Sequence, residues 1–411
     1  MEEWLSTEDE GLDWASMVEG RLSTESQFAK YVERARALFR RPELLGEPPE
    51  DLAQVLTEMA LASPAVAALR ALGRAVHTFK RVASRSRMLA GAARVALDFR
   101  SLFNLPPVID LVRRLHGGDE QSYWRAVLDY CAAGNLQAVL DEYVHTLREL
   151  NGLYDSRGRD SVEVLVEEIG KAVSIRTVNL GLDEIRLGKD GHSIRRTERS
   201  LRCRFALRYG DGTSTTTSDE RAEVRREQVR EAFNSPFWPF VLATTSIGQE
   251  GLDFHPYCSN VFHWNLPSNP VDLEQREGRV HRYKGHAIRR NVAETFRGSV
   301  VGRPCPDDPW DHLFEAARAT FRAQGTCDDV VPYWVFPNGR HSIRRFVPTY
   351  PFSRDQERLA ALKRGAVMYR FLLGQPRQED LLAYLQARLP AGKSPEALGP
   401  HFIDLSPPPS A

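Results

Sequence analysis

Apolar positions recur at helical spacing from Leu52 to Leu72, from Ala92 to Leu102 and from Tyr123 to Leu150, so residues 1 to about 150 are predicted to be mainly α-helical. Pro48-Pro49, Pro64 and Pro106-Pro107 punctuate the run, because proline fixes φ and withholds a backbone donor. From about residue 151 the texture changes. Leu201, Cys203, Phe205, Leu207 and Tyr209 alternate with Arg202, Arg204, Ala206 and Arg208, which predicts a half-buried strand ending at Gly210-Asp211-Gly212. A helix from about Asp219 to Asn234 would put Val229, Ala232 and Phe233 on one face, with Arg221, Arg225, Arg226 and Arg230 largely elsewhere. Phe240-Val241-Leu242-Ala243-Thr244 is a continuous apolar run of the kind buried in a parallel sheet, and Val261-Phe262-His263-Trp264 predicts the next strand. Before these, Val162–Ala172 fits an early helix of the same domain and Thr177–Ile185 a strand, while Arg186–Arg199 reads as an insertion.

This βαβα alternation points to an α/β domain with a largely parallel sheet over residues 151–300. The helical region 1–150 precedes it, and residues 301–411 form a C-terminal helical extension with short strands. That extension is predicted to hold a helix from Trp310 to Arg322, strands over Val331–Phe336 and Ile343–Val347, a long helix from Arg354 to Leu373 and a short one from Gln378 to Leu389. The Pro407-Pro408-Pro409 end reads as a frayed tail.

Charge removes one function class. Among 411 residues, 55 Lys+Arg balance 55 Asp+Glu, which excludes a grossly basic protein that holds nucleic acid by bulk charge. The five cysteines form no CxxC pair, which argues against a zinc ribbon or a disulfide framework and for a reducing cytoplasm. The most apolar stretch, Met59 to Leu69, is short and contains Ser63 and Pro64, and the start, Met1-Glu2-Glu3-Trp4, is acidic where a signal peptide is basic. The expectation is a cytoplasmic chain with no membrane span.

Two segments carry chemistry. In Asn269-Pro270-Val271-Asp272-Leu273-Glu274-Gln275-Arg276-Glu277-Gly278-Arg279-Val280-His281-Arg282, Asn269 is a good N-cap, Pro270 suits the first helical position, and Asp272 and Glu274 favour the positive end of the helix dipole. At about 100° per residue, Gln275, Gly278, Arg279 and Arg282 fall in one narrow stripe. One amide and two guanidinium forks would then face a polyphosphate, with a glycine allowing close approach. A solvated basic face explains the same spacing. The second segment, Ala243-Thr244-Thr245-Ser246-Ile247-Gly248-Gln249-Glu250-Gly251-Leu252-Asp253-Phe254, is a hydroxyl- and glycine-rich turn at the carboxyl end of an expected parallel strand, where open α/β sheets bind ligands. A tight turn whose glycines serve only backbone geometry is the alternative.

Together, in this order and separation, the two segments resemble motifs V and VI of superfamily-two helicases and translocases. The wording from Leu273 to Arg282 looks closest to the Swi/Snf-like branch, including its bacterial members, and the helix ending near Phe233 resembles that family's element before motif V. The resemblance covers roughly residues 200 to 290. It implies a RecA-like C-terminal helicase domain that closes over ATP held with Mg2+ by a first RecA-like domain. Arg279 and Arg282 match the arginine fingers, and Gln275 matches the glutamine near the γ-phosphate. Gly251 and Asp253 match positions that approach the nucleotide and its ribose, with Gly278 the glycine of the finger helix. Thr244 and Thr245 match contacts to the nucleic-acid backbone, which position rather than read sequence.

The departures concern the other half of such a motor. No full GxxxxGK[ST] occurs: Gly188-Lys189-Asp190 lacks the hydroxyl, and Gly392-Lys393-Ser394 has Ala387 in place of the first glycine, follows a helical stretch and precedes Pro395. Asp141-Glu142-Tyr143-Val144-His145 has one residue too many for an Asp-Glu-x-His box and sits in a helical pattern, so it reads as a helix face. The chain therefore holds half of an ATPase site, with the phosphate loop and Mg2+ site expected on a separate partner chain, and nucleic acid, double-stranded DNA by the branch resemblance, as the other partner. A non-catalytic nucleic-acid-binding module and a truncated product of a larger helicase gene are the alternatives. His255, Cys258 and His263, with His281 and His286 downstream, straddle a strand and are not expected to share a metal. Phe233, Phe237, Trp238 and Phe240 are expected in a core rather than stacked on bases.

Overall fold

The computed structural model describes residues 34, 37–38, 40–76, 82–116, 122–153, 160–173, 178–187, 194–203, 229–244, 253–303, 307–326, 330–348 and 350–371. Its residues gather into two compact units, Met1–Arg176 with Cys305–Trp310, and Thr177–Pro304 with Asp311–Ala411.

The first unit is helical: α1 (Leu52–Ala62), α2 (Pro64–Val76), α3 (Val82–Phe103), α4 (Pro106–His116), α5 (Tyr123–Ala132), α6 (Asn135–Leu150) and α7 (Asp160–Val173). By length and composition Leu52–Ala75 is long and apolar enough to cross a membrane, which Met59 to Leu69 taken alone is not. It is nevertheless two helices, because Ser63 takes an extended ψ of 154° and Pro64 can begin a helix but not continue one. In α2 the buried stripe Ala67, Ala68, Ala71 and Leu72 recurs at helical spacing, and α2 packs on α3 and α6. Helices α3 and α7 approach so closely that a Cβ on Gly91 would lie 2.9 Å from Val166 Cγ2 and 3.3 Å from Val162 Cγ1. Small size, not backbone freedom, is what this position needs.

The Asp141–His145 stretch is a structural face of α6, as its helical setting predicts. Asp141 Oδ2 accepts from Arg74 Nη1 at 2.5 Å and Asp141 Oδ1 from Gln137 Nε2 at 3.0 Å. Burial pushes the Asp141 carboxyl up to about 6 despite Arg74. His145 Nδ1 and Arg148 Nη2 meet Asp308 Oδ2 at 2.9 and 3.2 Å, tying Asp308 to α6. Burial alone would raise the Asp308 carboxyl, but the hydrogen bond and charge of His145, with Arg148, hold it below the ordinary value.

The second unit opens with an antiparallel hairpin of β1 (Val178–Leu187) and β2 (Ile194–Cys203), in register from Val178 opposite Cys203 to Leu187 opposite Ile194. The described parts of the segment read as an insertion, Arg186–Leu187 and Ile194–Arg199, thus belong to the paired strands, with Arg186 paired to Arg195. The rest of the alternating run, residues 204–209, lies outside the described residues, as do 378–389 and the proline tail. Then follow β3 (Asn260–Phe262), α8 (Pro270–Gly278), α9 (His286–Phe296), α10 (Pro309–Ala323, in this unit from Asp311), β4 (Arg344–Phe346) and α11 (Asp355–Phe371). Strands β3 and β4 pair in parallel, Asn260 beside Arg344 and Phe262 beside Phe346, with helices in the crossover between them.

Among the described residues the parallel sheet is these two strands, smaller than the sequence pattern predicts. Phe240–Thr244 is not a strand: no described backbone pairs with it, and Phe240 and Val241 are 70% and 83% exposed. Val331–Phe336 is a series of turns, because the amides of Trp334 and Val335 both turn back to the Val330 carbonyl and Pro332 has none to offer. The end of the helix before it behaves as patterned, with Val229, Ala232 and Phe233 buried. Phe233 meets Phe254 edge-on at 5.7 Å, and with Val280 they form a core that Val261 and Ile343 close. A second cluster joins Leu273 of α8 to Leu266 and to Leu362 of α11.

Replacing Gly91 by Val should destabilise the first unit by about 1–3 kcal/mol through overpacking against α7. Urea denaturation reads this as a lower midpoint, and an unchanged midpoint would contradict the close approach.

Candidate functional site

Helix α8 starts as its sequence dictates. The Asn269 side chain accepts from the Asp272 amide at 2.8 Å, Asn269 Nδ2 returns a bond to Asp272 Oδ2 at 3.1 Å, and Pro270 occupies the first turn. Its end differs from the sequence expectation. The helix stops at Gly278, Arg279 caps it, and the amides of Val280 and His281 both turn to the Glu277 carbonyl. Arg282 therefore does not extend the helical stripe of Gln275, Gly278 and Arg279, since the periodicity that placed it there ends four residues earlier.

Arg282 reaches the site by another route. From the loop after α8 its Nε donates to Asp253 Oδ1 at 2.9 Å, and its Nη1 lies 3.7 Å from where a Cβ on Gly278 would be. Asp253, Gly278 and Arg282 thus come together across 29 residues of sequence. Two loop segments are stitched to make this meeting: the Phe254 amide donates to the Arg279 carbonyl at 2.9 Å and the His286 amide to the His255 carbonyl at 2.9 Å. Asn234 Nδ2 holds the Asp253 carbonyl at 2.9 Å, and buried Arg289 donates to the carbonyls of Lys284, at 2.9 Å, and Pro256. Asn234 and Arg289 were invisible to motif reasoning, because each works through a backbone carbonyl distant in sequence.

The helix itself is held by an ionic tie. Glu277 Oε1 lies 3.0 Å from His263 Nε2, just past β3, and both Glu277 carboxylate oxygens accept from the Arg345 guanidinium in β4. Burial would raise the Glu277 carboxyl, but the hydrogen bonds from His263 and Arg345 prevail and hold it down at about 2. Arg345 in turn is held above its ordinary value, first by its hydrogen bond to Glu277. Burial lowers His255 to about 4 against the pull of Asp253, and lowers His286 to about 4 with help from Arg289. His255, Cys258 and His263 do separate jobs, since Cys258 Sγ donates to the Asn260 carbonyl at 3.4 Å.

Gln275 is exposed, and Arg279 is half-buried with its carbonyl engaged by Phe254. Thr244 is exposed and makes no hydrogen bond among the described residues. Thr245 and Gly251 lie outside the described residues, as do Gly188–Asp190 and Gly392–Ser394. Phe233 and Phe237 are buried as expected, whereas Phe240 is exposed.

Residues 192–284 match the family model described as helicase conserved C-terminal domain. The match supports a helicase C-terminal domain over this span, with the RecA-like fold that such domains carry. It covers under a quarter of the chain, yet takes in β2, β3, α8 and every residue of the Asp253–Arg282 meeting. No curated protein and no solved structure matches the chain.

The arrangement leaves hydrogen-bond donors and an acceptor open to solvent. Arg282 carries five N–H donors, of which the Nε bond to Asp253 uses one, and its side chain is 41% exposed. Gly278 offers no side chain to block approach, and Asp253 keeps a second carboxylate oxygen for a hydroxyl.

The Glu277 tie also fixes an acid response. Because the folded carboxyl sits at about 2 against an ordinary 4.5, its stabilisation is complete above pH 4.5 and is lost as pH falls through about 2. The stability difference between the wild-type protein and Glu277→Gln, from urea unfolding at a series of pH values, should be constant above that window and shrink within it. A difference that ignores pH would remove the ionic tie from the account.

Proposed function

We propose that the chain is the C-terminal half of an ATP-dependent translocase of the Swi/Snf-like branch acting on nucleic acid, double-stranded DNA in the first instance. The observation that carries the reading is the meeting of Arg282 with Asp253 beside Gly278, inside the span that matches the helicase C-terminal domain. A separate chain would bring the phosphate loop and the Mg2+ site, since this sequence contains no full GxxxxGK[ST].

Bound ATP with Mg2+ would supply the phosphoryl bond whose cleavage drives the motor. The residues of this chain would hold and polarise it. Asp253 takes Nε of Arg282 and so fixes the guanidinium plane, leaving its terminal nitrogens to meet phosphate oxygens in the fork geometry that suits them. As charge moves onto the transferring group, a prefixed guanidinium stabilises it without reorganising. Arg279 and Gln275, from the last turns of α8, would complete the finger set. The Glu277 tie keeps that helix end in place relative to β3 and β4. Gly251 and Asp253 would approach the nucleotide and its ribose, and Thr244 and Thr245 the strand backbone, where contacts position without reading sequence. The setting is cytoplasmic in this reading.

The chain alone should not turn over ATP. In the assembly with its phosphate-loop partner, Arg282→Ala should lower DNA-stimulated ATPase kcat by about 10³-fold or more, the range for removing an arginine finger. ATPase surviving within a few-fold would overturn the finger assignment.

A further inference from the structure

Outside the Asp253–Arg282 site, the second unit carries a concave surface of about 770 Å³ lined by Arg290, Arg297, Arg340 and Arg344, with His341 and a single carboxylate, Glu294. It holds a net three positive charges in a chain whose formal net charge is zero, so bulk composition does not account for it. Glu294 is already shared: Arg340 Nη1 donates to it at 3.0 Å and His341 Nε2 lies 2.8 Å away. Among the described residues no carboxylate pairs with Arg290, Arg297 or Arg344. Like charges gathered this way repel until an anion joins them.

The surface is built rather than incidental. Arg290, Glu294 and Arg297 fall at helical spacing along one side of α9 and its C-terminal cap, the two arginines about 10 Å apart along the axis. The loop bearing Arg340 and His341 is clamped to the same helix by Asn291, which is 3% exposed, gives its Nδ2 hydrogen to the His341 carbonyl and accepts the His341 amide, both at 2.8 Å. Gly339 allows the clamp, because a Cβ there would overlap the Asn291 amide. Arg344 and Asn260 begin β4 and β3 as a parallel pair. Two residues on, about 6.6 Å along the strands, Phe346 and Phe262 share their face and stack at 5.8 Å with planes 16° apart, 41% and 60% exposed.

We propose that this groove is a second nucleic-acid contact, in which Arg290, Arg297, Arg340 and Arg344 grip the phosphodiester backbone and the Phe262–Phe346 pair offers a ring face to a base. Alternating phosphates and π-faces match a basic groove that runs into an aromatic pair, as neither an acidic peptide nor free phosphate does. The inference rests on the reading that the chain works on nucleic acid, and it adds a grip separate from the nucleotide-facing site.

The test is fluorescence anisotropy of the full chain, without nucleotide, on a labelled single-stranded oligonucleotide and its duplex across a salt series. Arg290→Gln with Arg297→Gln should weaken binding to the single strand about tenfold or more and flatten the salt slope by about 0.7 for each phosphate no longer neutralised. Phe346→Ala should weaken binding to the single strand about tenfold with the salt slope kept, and should matter less for the duplex, whose bases are stacked on one another. Arg340→Gln, at a side chain 81% exposed, gives a surface variant whose loss of affinity is not a loss of folding. Unchanged affinity and slope in the arginine variants overturn the groove, whatever Arg282→Ala does to ATPase. Equal binding of heparin together with indifference to Phe346→Ala overturns nucleic acid as its occupant.

Discussion

The Glu277 carboxylate lies between the imidazole that follows β3 and the guanidinium in the middle of β4, and through it α8 is fastened to both strands of the parallel pair. Leu273 anchors the same helix from its apolar side against Leu266 and Leu362. Between these fastenings the helix end has one position relative to the strands, and whatever Gln275, Gly278 and Arg279 do depends on it. A fully exposed ion pair would contribute little, but here the carboxylate shared with Arg345 also meets His263, which is 2% exposed, so screening by solvent is reduced and leaving the carboxylate unpaired is costly.

With α8 fixed, the loop beyond it can be placed by backbone bonds alone. The Phe254 amide on the Arg279 carbonyl and the His286 amide on the His255 carbonyl lay two irregular segments side by side. Arg289 saturates carbonyls that a buried loop would otherwise leave bare. Asp253 and Arg282 face each other as a result. The pairing gives the guanidinium a fixed plane before any anion arrives, the condition under which a cation stabilises developing charge without having to reorganise. The proposed nucleic-acid groove is built in the same way: Asn291 and Gly339 fix the arginine loop through its backbone and leave the charged ends for a ligand.

What the sequence made legible was local. The Asn269 cap, Pro270, the buried face of Val229, Ala232 and Phe233, and strands near 261 and 345 follow from spacing and from rules that act over a few residues. Asp253, Gly278 and Arg282 could be named together because the motif resemblance ties them, although helical periodicity misplaced the route by which Arg282 arrives. The helix stop at Gly278 is marked by no proline and no left-handed residue, so no pattern displays it. The Glu277–Arg345 tie spans 68 residues and joins ordinary charged residues, so nothing marked it beforehand. Phe240–Thr244 shows the converse failure, since an apolar run specifies a strand only where another strand accepts its hydrogen bonds. The hairpin of β1 and β2 was half legible, because the polar run from Arg195 to Ser200 carries no apolar alternation.

In the proposed function this chain supplies one face of a nucleotide site and a different protein supplies the other. The most direct measurement is the native mass of the protein isolated gently from its source cells, with identification of what accompanies it. A split motor should run as a complex clearly heavier than the 46.5 kDa of the chain and containing a protein with a phosphate loop. A lone monomer, or a complex in which no component carries that loop, would contradict it.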